Sequence, residues 1–277
     1  MVKIGQIKLK NPVMVASGTF GYGIECKDLV DLDKLGAIIT KTITLKPRLG
    51  NPQPRTFELP YGMINTIGLQ NVGLEKFLTE KLPELIKITK TPVIVSIAGE
   101  KESEYSEVAK ILDKENIAGI EMNISCPNVK GSIISKCKTD TYNVVKSVRK
   151  KTKHTLIVKL SPDVTDILEI AKSTESAGAD AVSLINTVPA LFYKNGNTIL
   201  GGLSGPCIKH IALRKVYEVA KFLKIPVIGI GGIMNIEDTL EFFKAGAKAI
   251  QVGTGNFIDP KIPIKIINGL SFKKMSF

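Results

Sequence analysis

The run Leu156-Ile157-Val158-Lys159-Leu160-Ser161, followed by Val164–Ala177, the turn Ala177-Gly178-Ala179-Asp180 and the run Ala181–Thr187, makes one complete strand–helix–strand unit. Its two flanking runs are short, β-branched and almost wholly apolar, as parallel strands buried on both faces are. Between them apolar residues recur with a period near 3.6, and Gly178 supplies the stop that a helix C-terminus favours. The same rhythm continues outward in both directions. Candidate strands lie at Pro12–Gly18, Ala37–Lys41, Pro92–Ala98, Gly119–Ser125, Leu156–Ser161, Ala181–Thr187, Pro226–Gly232 and Ala249–Thr254. Candidate helices include Ser103–Lys114, Val164–Ala177 and Ile208–Leu223, and Ala245-Gly246-Ala247 offers a second helix-stopping turn. Eight such units in one chain predict an α/β fold, a closed (β/α)8 TIM barrel rather than a doubly wound sheet, as one domain over residues 1–277.

Two segments break the rhythm. Val2–Leu9 alternates apolar and polar residues ahead of the first barrel strand and predicts a short N-terminal hairpin closing the barrel's bottom. The Pro- and Gly-rich stretch Leu45–Asn71 is read as an insertion after the second strand, on the face where barrel active sites lie, and so as a candidate substrate loop.

Composition narrows the function classes. The chain of 277 residues is 44% hydrophobic but only 6% aromatic, without Trp, so its core is aliphatic. Lys and Arg number 38 against 26 Asp and Glu, a net charge of +12 that fits a lysine-rich surface, nucleic acid or an anionic small molecule. The lysines are spread along the chain, as in Lys146–Lys153 and Lys209–Lys224, without the interleaved aromatics of a base-stacking platform. No nucleic-acid partner is therefore expected, while a phosphate-bearing ligand stays attractive. Met1-Val2-Lys3-Ile4-Gly5 is no signal segment and no apolar run approaches the ~20 residues that span a bilayer, so a cytoplasmic protein without membrane contact is expected. Four cysteines lack CxxC spacing, and with only His154 and His210 no metal site is expected.

Residues at the C-terminal ends of barrel strands point into the active-site mouth, so polar residues there need a reason. Lys41-Thr42, Ser96, Asn123, Ser125, Lys159 and Asn186-Thr187 all occupy such places. Lys159 stands inside an apolar strand run, where an ammonium either snorkels to a strand end or has an anion beside it. An anionic reduced flavin would be a fitting partner. Strands seven and eight end in Gly229-Ile230-Gly231-Gly232 and Gly253-Thr254-Gly255, which read as plain turn glycines singly and as a phosphate site together. Gly201-Gly202-Leu203-Ser204-Gly205 is a weaker third glycine turn. Cys126, just past strand four, is either an inert core thiol or an ionisable one, and the polar neighbours Asn123, Ser125 and Asn128 favour the second. Cys26, Cys137 and Cys207 lack such settings and are read as bystanders.

Together these residues resemble the class 1 dihydroorotate dehydrogenases, the soluble FMN enzymes of pyrimidine synthesis. The resemblance runs in order through Ala16-Ser17-Gly18-Thr19, Lys41-Thr42, Gly50-Asn51-Pro52-Gln53-Pro54-Arg55, Asn65-Thr66-Ile67-Gly68-Leu69-Gln70-Asn71, Asn123–Asn128, Val158-Lys159-Leu160-Ser161-Pro162, Asn186-Thr187, Gly201–Pro206, Gly229–Gly232 and Gln251–Thr254. It implies that Cys126 is the catalytic base, taking the C5 proton of dihydroorotate while C6 gives hydride to flavin N5. It implies FMN contacts from Ser17, Lys41, Thr42, Asn123, Lys159, Ile185, Gly205, Gly231, Gly232, Gly253 and Thr254, the last four at the phosphate. Substrate contacts fall on Lys41, Asn65, Thr66, Ile67, Gly68, Leu69, Asn123, Asn186 and Thr187, with Lys41 on the orotate carboxylate.

Gly68-Leu69-Gln70-Asn71 and Arg55 resemble the NAD-linked branch of class 1, whose barrel pairs with a subunit carrying FAD and a 2Fe-2S iron–sulfur cluster; the fumarate-linked branch usually has proline where Gln70 stands. A homodimer joined by two such partners, a heterotetramer, is the implied assembly. The chain has no strand-Gly-x-Gly-x-x-Gly-helix unit of its own for NAD. Departures from the family include Ser96 in place of Asn, a shortened loop Pro189–Thr198, and Lys136-Cys137-Lys138 at the end of the catalytic loop. A tRNA dihydrouridine synthase would share the Asn-x-x-Cys-Pro loop and a basic surface. It has no place for Asn65–Asn71, and the short stretch after Phe257 leaves no room for its helical RNA-binding domain. A barrel that has lost its chemistry and serves as a scaffold is opposed by Cys126, Lys41 and Lys159 together.

Overall fold

The computed structural model describes residues 2–124, 134–194 and 196–274. Strands β1 (Val2–Ile4) and β2 (Ile7–Leu9) pair antiparallel, with Val2 opposite Leu9. Then follow β3 (Val13–Val15), β4 (Ala37–Ile39), β5 (Thr56–Leu59), β6 (Gly62–Asn65), β7 (Val93–Ile97), β8 (Gly119–Asn123), β9 (Thr155–Leu160), β10 (Ala181–Leu184), β11 (Val188–Lys194), β12 (Asn197–Ser204), β13 (Val227–Ile230) and β14 (Ala249–Val252). The helices are α1 (Gly73–Lys76), α2 (Leu82–Ile88), α3 (Glu102–Leu112), α4 (Lys138–Arg149), α5 (Ile167–Ala177), α6 (Lys209–Ala220), α7 (Ile236–Lys244), α8 (Gly255–Ile258) and α9 (Ile262–Lys274).

Strands β3, β4, β7, β8, β9, β10, β13 and β14 close in that order into a parallel barrel, β14 pairing back onto β3. All eight expected strands are present. Most end earlier than the apolar runs suggest: β3 stops at Val15 rather than Gly18, and β10 at Leu184 rather than Thr187. The residues left over leave the ladder and form the mouth. Helix α5 starts at Ile167 rather than Val164 because Asp166 caps it, its Oδ1 accepting from Leu168 N at 2.8 Å and Glu169 N at 3.2 Å. It ends at Gly178 in the left-handed region, where the turn signal placed it.

The hairpin does seal the bottom. Ile4, Ile7 and Leu9 are buried in one cluster with Met14, Ala37, Ile39, Ile94, Ile157, Ala181, Ile228 and Ala249, the inward residues near the N-terminal ends of the strands. Gly119 leaves room there for Ile7, whose Cδ1 would lie 3.1 Å from a Cβ at that position. A second, larger cluster fills the space between barrel and helices with the outward Val, Leu and Ile residues.

The segments read as loops are the main correction. Leu45–Asn71 contains β5 and β6, and Pro189–Thr198 lies almost wholly in β11 and β12; these four strands form an antiparallel sheet, ordered β11-β12-β6-β5, beside the barrel mouth. Pro189 hid its strand, yet β11 is an edge, where a missing N–H is harmless. Gly201 and Gly202 are strand residues rather than a turn. A Cβ on Gly201 would meet Asn65 O of the neighbouring β6 at 2.6 Å and one on Gly202 would meet Thr187 Cβ at 2.7 Å, so glycine here allows close approach of β6 and of the segment after β10.

Leu9 is fully buried in the bottom plug, so Leu9→Ala should cost about 2–5 kcal/mol of stability, read as a lower urea midpoint. Ligand affinity at the opposite end should stay unchanged. A midpoint within error of the unmutated chain would show that the hairpin does not help hold the barrel.

Candidate active site

The strand ends, the four-stranded sheet and the turns after β13 and β14 enclose one cleft at the C-terminal mouth. Every residue that the resemblance gave as an FMN contact lines it: Ser17, Lys41, Thr42, Asn123, Lys159, Ile185, Gly205, Gly231, Gly232, Gly253 and Thr254. Asn65, Ile67, Gly68, Leu69, Asn186 and Thr187 line it too. Thr66 does not. Its backbone instead ties the loop, its N–H donating to Arg55 O at 2.8 Å and its carbonyl accepting from Asn51 Nδ2 at 2.7 Å. Cys126, with Ser125 and Asn128, lies outside the described residues; β8 delivers the chain toward them through Asn123 and the buried Ile124.

Inward alternation on parallel strands places each polar group. On β9, Ile157 faces the plug and Lys159, two residues on, faces the cleft, buried to 5% exposure with its Nζ 3.5 Å from Ser17 Oγ. On β8, Asn123 stands in register with Lys159. Its carbonyl accepts from the buried Tyr105 hydroxyl at 3.0 Å, and its Oδ1 lies 3.4 Å from Asn186 Nδ2. Asn186 Oδ1 also accepts from Thr187 N at 2.9 Å, and the peptide joining Leu184 to Ile185, just before them, is cis. Thr42 and Ser96 share a 2.8 Å hydrogen bond. Ser96 is wholly buried, supporting Thr42 from behind, and does not itself line the cleft.

The wall opposite is a tied loop. Asn71 uses both ends of its amide: Oδ1 accepts from Thr44 N at 3.2 Å and Gly73 N at 2.8 Å, while Nδ2 donates to Thr44 Oγ1 at 2.9 Å and Leu69 O at 2.8 Å. Leu69 is held at φ 55°, a strained value for a branched residue that such bonds must enforce. Arg55 donates through Nη1 to Asn51 O at 3.1 Å and through Nη2 to Gln70 Oε1 at 2.5 Å. Lys41 is near enough to Arg55 to feel it. Burial, with Arg55 adding repulsion and Glu25 opposing, holds the Lys41 ammonium below the ordinary lysine pKa.

At the far end, Gly231 and Gly232 have φ 127° and 71°, and a Cβ on Gly232 would meet Gly205 O at 2.9 Å. A Cβ on Gly253 would meet nothing nearer than Ala16 Cβ at 3.9 Å and would project into the cleft. The N–H groups of Gly231, Gly232, Gly253 and Thr254 donate to no loop carbonyl among the described residues, a set of bare donors suited to an anion. Thr254 Oγ1 donates to Ser204 Oγ at 2.8 Å, joining this turn to β12.

Ser204, Met63, Gln70 and Phe257 also line the cleft. Reading one strand at a time misses Met63 and Ser204, because they reach the mouth through the antiparallel sheet. Lys136 and Lys138, at the end of the altered loop, pair outward with Asp163 at 2.7 Å and Glu169 at 2.5 Å. Burial pushes the Cys26 and Cys207 thiols up, which keeps both as unreactive thiols at neutral pH.

Comparison with known proteins agrees with this geometry. Residues 1–273 match the family model described as dihydroorotate dehydrogenase. The chain is 53% identical over 278 residues to the dihydroorotate dehydrogenase B (NAD(+)) catalytic subunit of Geotalea uraniireducens, covering 97% of this chain and 91% of that one. Catalytic subunits of the same description from Thermodesulfovibrio yellowstonii and a Thermoanaerobacter species are 53% and 50% identical, with the same coverage.

The depressed Lys41 pKa sets a pH profile. The ammonium is the charged form below its pKa, so affinity for an anionic carboxylate should be full below that lowered value and fall as pH rises through it. Lys41→Met should weaken carboxylate binding by about 1.5–3 kcal/mol and flatten the profile. Titration calorimetry with a pyrimidine carboxylate checks both. An affinity constant up to about pH 10.4, where ordinary lysine titrates, would remove Lys41 from the carboxylate's contacts.

Proposed function

The chain belongs to the dihydroorotate dehydrogenase family, and from that premise we propose that it oxidises (S)-dihydroorotate to orotate in pyrimidine synthesis with FMN in the cleft. The observation that carries the reading is the convergence of a buried Lys159 and two glycine turns on one space at the barrel mouth. The residues fit FMN: Cβ atoms on Gly18 and Gly253 would occupy cleft space, and the bare N–H groups after β13 and β14 suit a phosphate. Bound FMN supplies the acceptor for the hydride that leaves C6.

Everything else falls to the chain's own groups. Cys126, as thiolate, takes the proton from C5, and the electron pair of that C–H bond becomes the C5–C6 double bond as C6 gives up its hydride. Lys41 holds the carboxylate, while Asn65, Gly68, Leu69, Asn123, Asn186 and Thr187 fix the ring against sliding. Lys159 sits where positive charge offsets the negative charge that the flavin ring gains. The tied loop around Asn71 and the sheet of β5, β6, β11 and β12 exclude water from the reacting atoms.

The relatives are named for NAD(+) and as catalytic subunits, which supports an NAD-linked enzyme with a partner chain. We assign FAD and a 2Fe-2S cluster to that partner and a heterotetramer, built on a barrel homodimer, to the assembly. The 2.5 Å Arg55–Gln70 bond supports the branch, since a proline at position 70 could not accept it. Leu191, Tyr193 and Leu200 stand exposed on one face of the β11–β12 hairpin, an apolar surface that suits subunit contact. Among the described residues no helix is long and apolar enough to cross a membrane; a cytoplasmic site is our reading.

The purified protein should be yellow, and dihydroorotate should bleach it without oxygen. Cys126→Ala should slow bleaching at least ~100-fold, by stopped-flow absorbance, and NAD should be reduced only when the partner subunit is added. Bleaching at an undiminished rate would remove Cys126 as base. Fumarate reduction by the barrel alone would place the chain in the fumarate-linked branch.

A further inference from the structure

Between the apolar plug and the cleft lies a layer the reaction does not use. Glu121, in the middle of β8, is completely buried. Its Oε2 accepts from Ser183 Oγ on β10 at 3.0 Å and from Gln251 Nε2 on β14 at 2.7 Å. Its Oε1 has no partner among the described residues, nor does Gln251 Oε1. Oε2 takes both bonds, as the oxygen of an ionised carboxylate can. A buried carboxylate costs several kcal/mol that an aliphatic side chain of similar volume would not, so a purely structural role is a poor account of it.

Its place in the barrel gives a better one. Two residues further along the inward faces of the same three strands come Asn123, Ile185 and Gly253, all of which line the cleft. Lys159 pairs in register with Asn123 on one side and with Ser183 on the other. The carboxylate therefore stands one inward layer beneath the ammonium of Lys159, in the same low-dielectric interior, where charges act on each other with little screening.

We propose that Glu121 is a positioning residue of the site: its negative charge, held by Ser183 and Gln251, offsets part of the Lys159 charge and thereby sets how readily the bound flavin accepts electrons. This rests on the flavin reading above. An anion below the ring disfavours added electrons, so the flavin of the unmutated protein is the harder one to reduce. Both Glu121→Gln, nearly isosteric and neutral, and Glu121→Met, neutral and apolar, should raise the flavin midpoint potential by about 30 mV or more, a tenfold change in the two-electron equilibrium. Glu121→Asp keeps the charge while pulling it away from both donors, and should lose thermal stability without that rise.

Anaerobic dye-coupled reduction of the three variants and the parent holoenzyme measures the potentials, with melting temperatures taken in parallel. If the parent itself holds no flavin, the flavin reading fails. If it does, and the folded neutral variants match its potential, or Glu121→Asp shifts as far as they do, the charge role is overturned and Glu121 is only a tie between strands.

Discussion

Carrying charge into a closed parallel barrel is the constraint on which the site depends. A barrel interior solvates an ammonium poorly, so the buried Lys159 calls for compensation from nearby groups or from a ligand. The architecture answers in layers. The hairpin β1–β2 closes the bottom with Ile4, Ile7 and Leu9, and the buried Thr155 there has its hydroxyl oxygen satisfied by Gln6 N at 3.0 Å. Charged inward residues lie above it, first Glu121 with Ser183 and Gln251, then Lys159 beside Asn123. Each step toward the mouth exchanges packing stability for chemistry.

The barrel could be read from the residues because each strand is buried on both faces and writes a continuous aliphatic run, while the helices write a different period and end at glycines such as Gly178. The strand-end lysines and glycines were readable for the opposite reason: Lys159, Gly231 and Gly253 make poor sense as core. The signal that flagged Lys159 also flags Glu121, a charge inside Gly119–Ser125, but an acid without an obvious ligand is easily passed over beside Asn123 and Cys126. Its meaning depends on Gln251 and Ser183, 130 and 62 residues away, and no local pattern shows that encounter.

The four-stranded sheet was hidden by its own chemistry. Pro189 and the pair Gly201-Gly202 are the residues that usually end strands, and here they sit inside β11 and β12, because β11 is an edge and β12 must lie close to Asn65 of β6 and to Thr187. Turn residues report local backbone needs. They do not say whether the need comes from a turn or from a neighbour's approach. The same ambiguity covers Thr66, grouped with its neighbours by the resemblance, whose backbone is spent on Arg55 and Asn51 while Ile67, Gly68 and Leu69 reach the cleft.

That sheet explains how one chain gives its cleft two walls of unlike character. The barrel wall is rigid, because Lys159, Asn123 and Ile185 are continuations of strands hydrogen-bonded on both sides. The other wall, from Asn65 to Gln70, is held by side-chain amides and a guanidinium: Asn71 on Thr44 and Gly73, Asn51 on Thr66, Arg55 on Gln70. Side-chain ties of this sort open at lower free energy than strand ladders do. The loop wall therefore yields at lower free energy than the barrel wall, and Leu69, held at φ 55°, marks where the strained part of that wall borders the cleft.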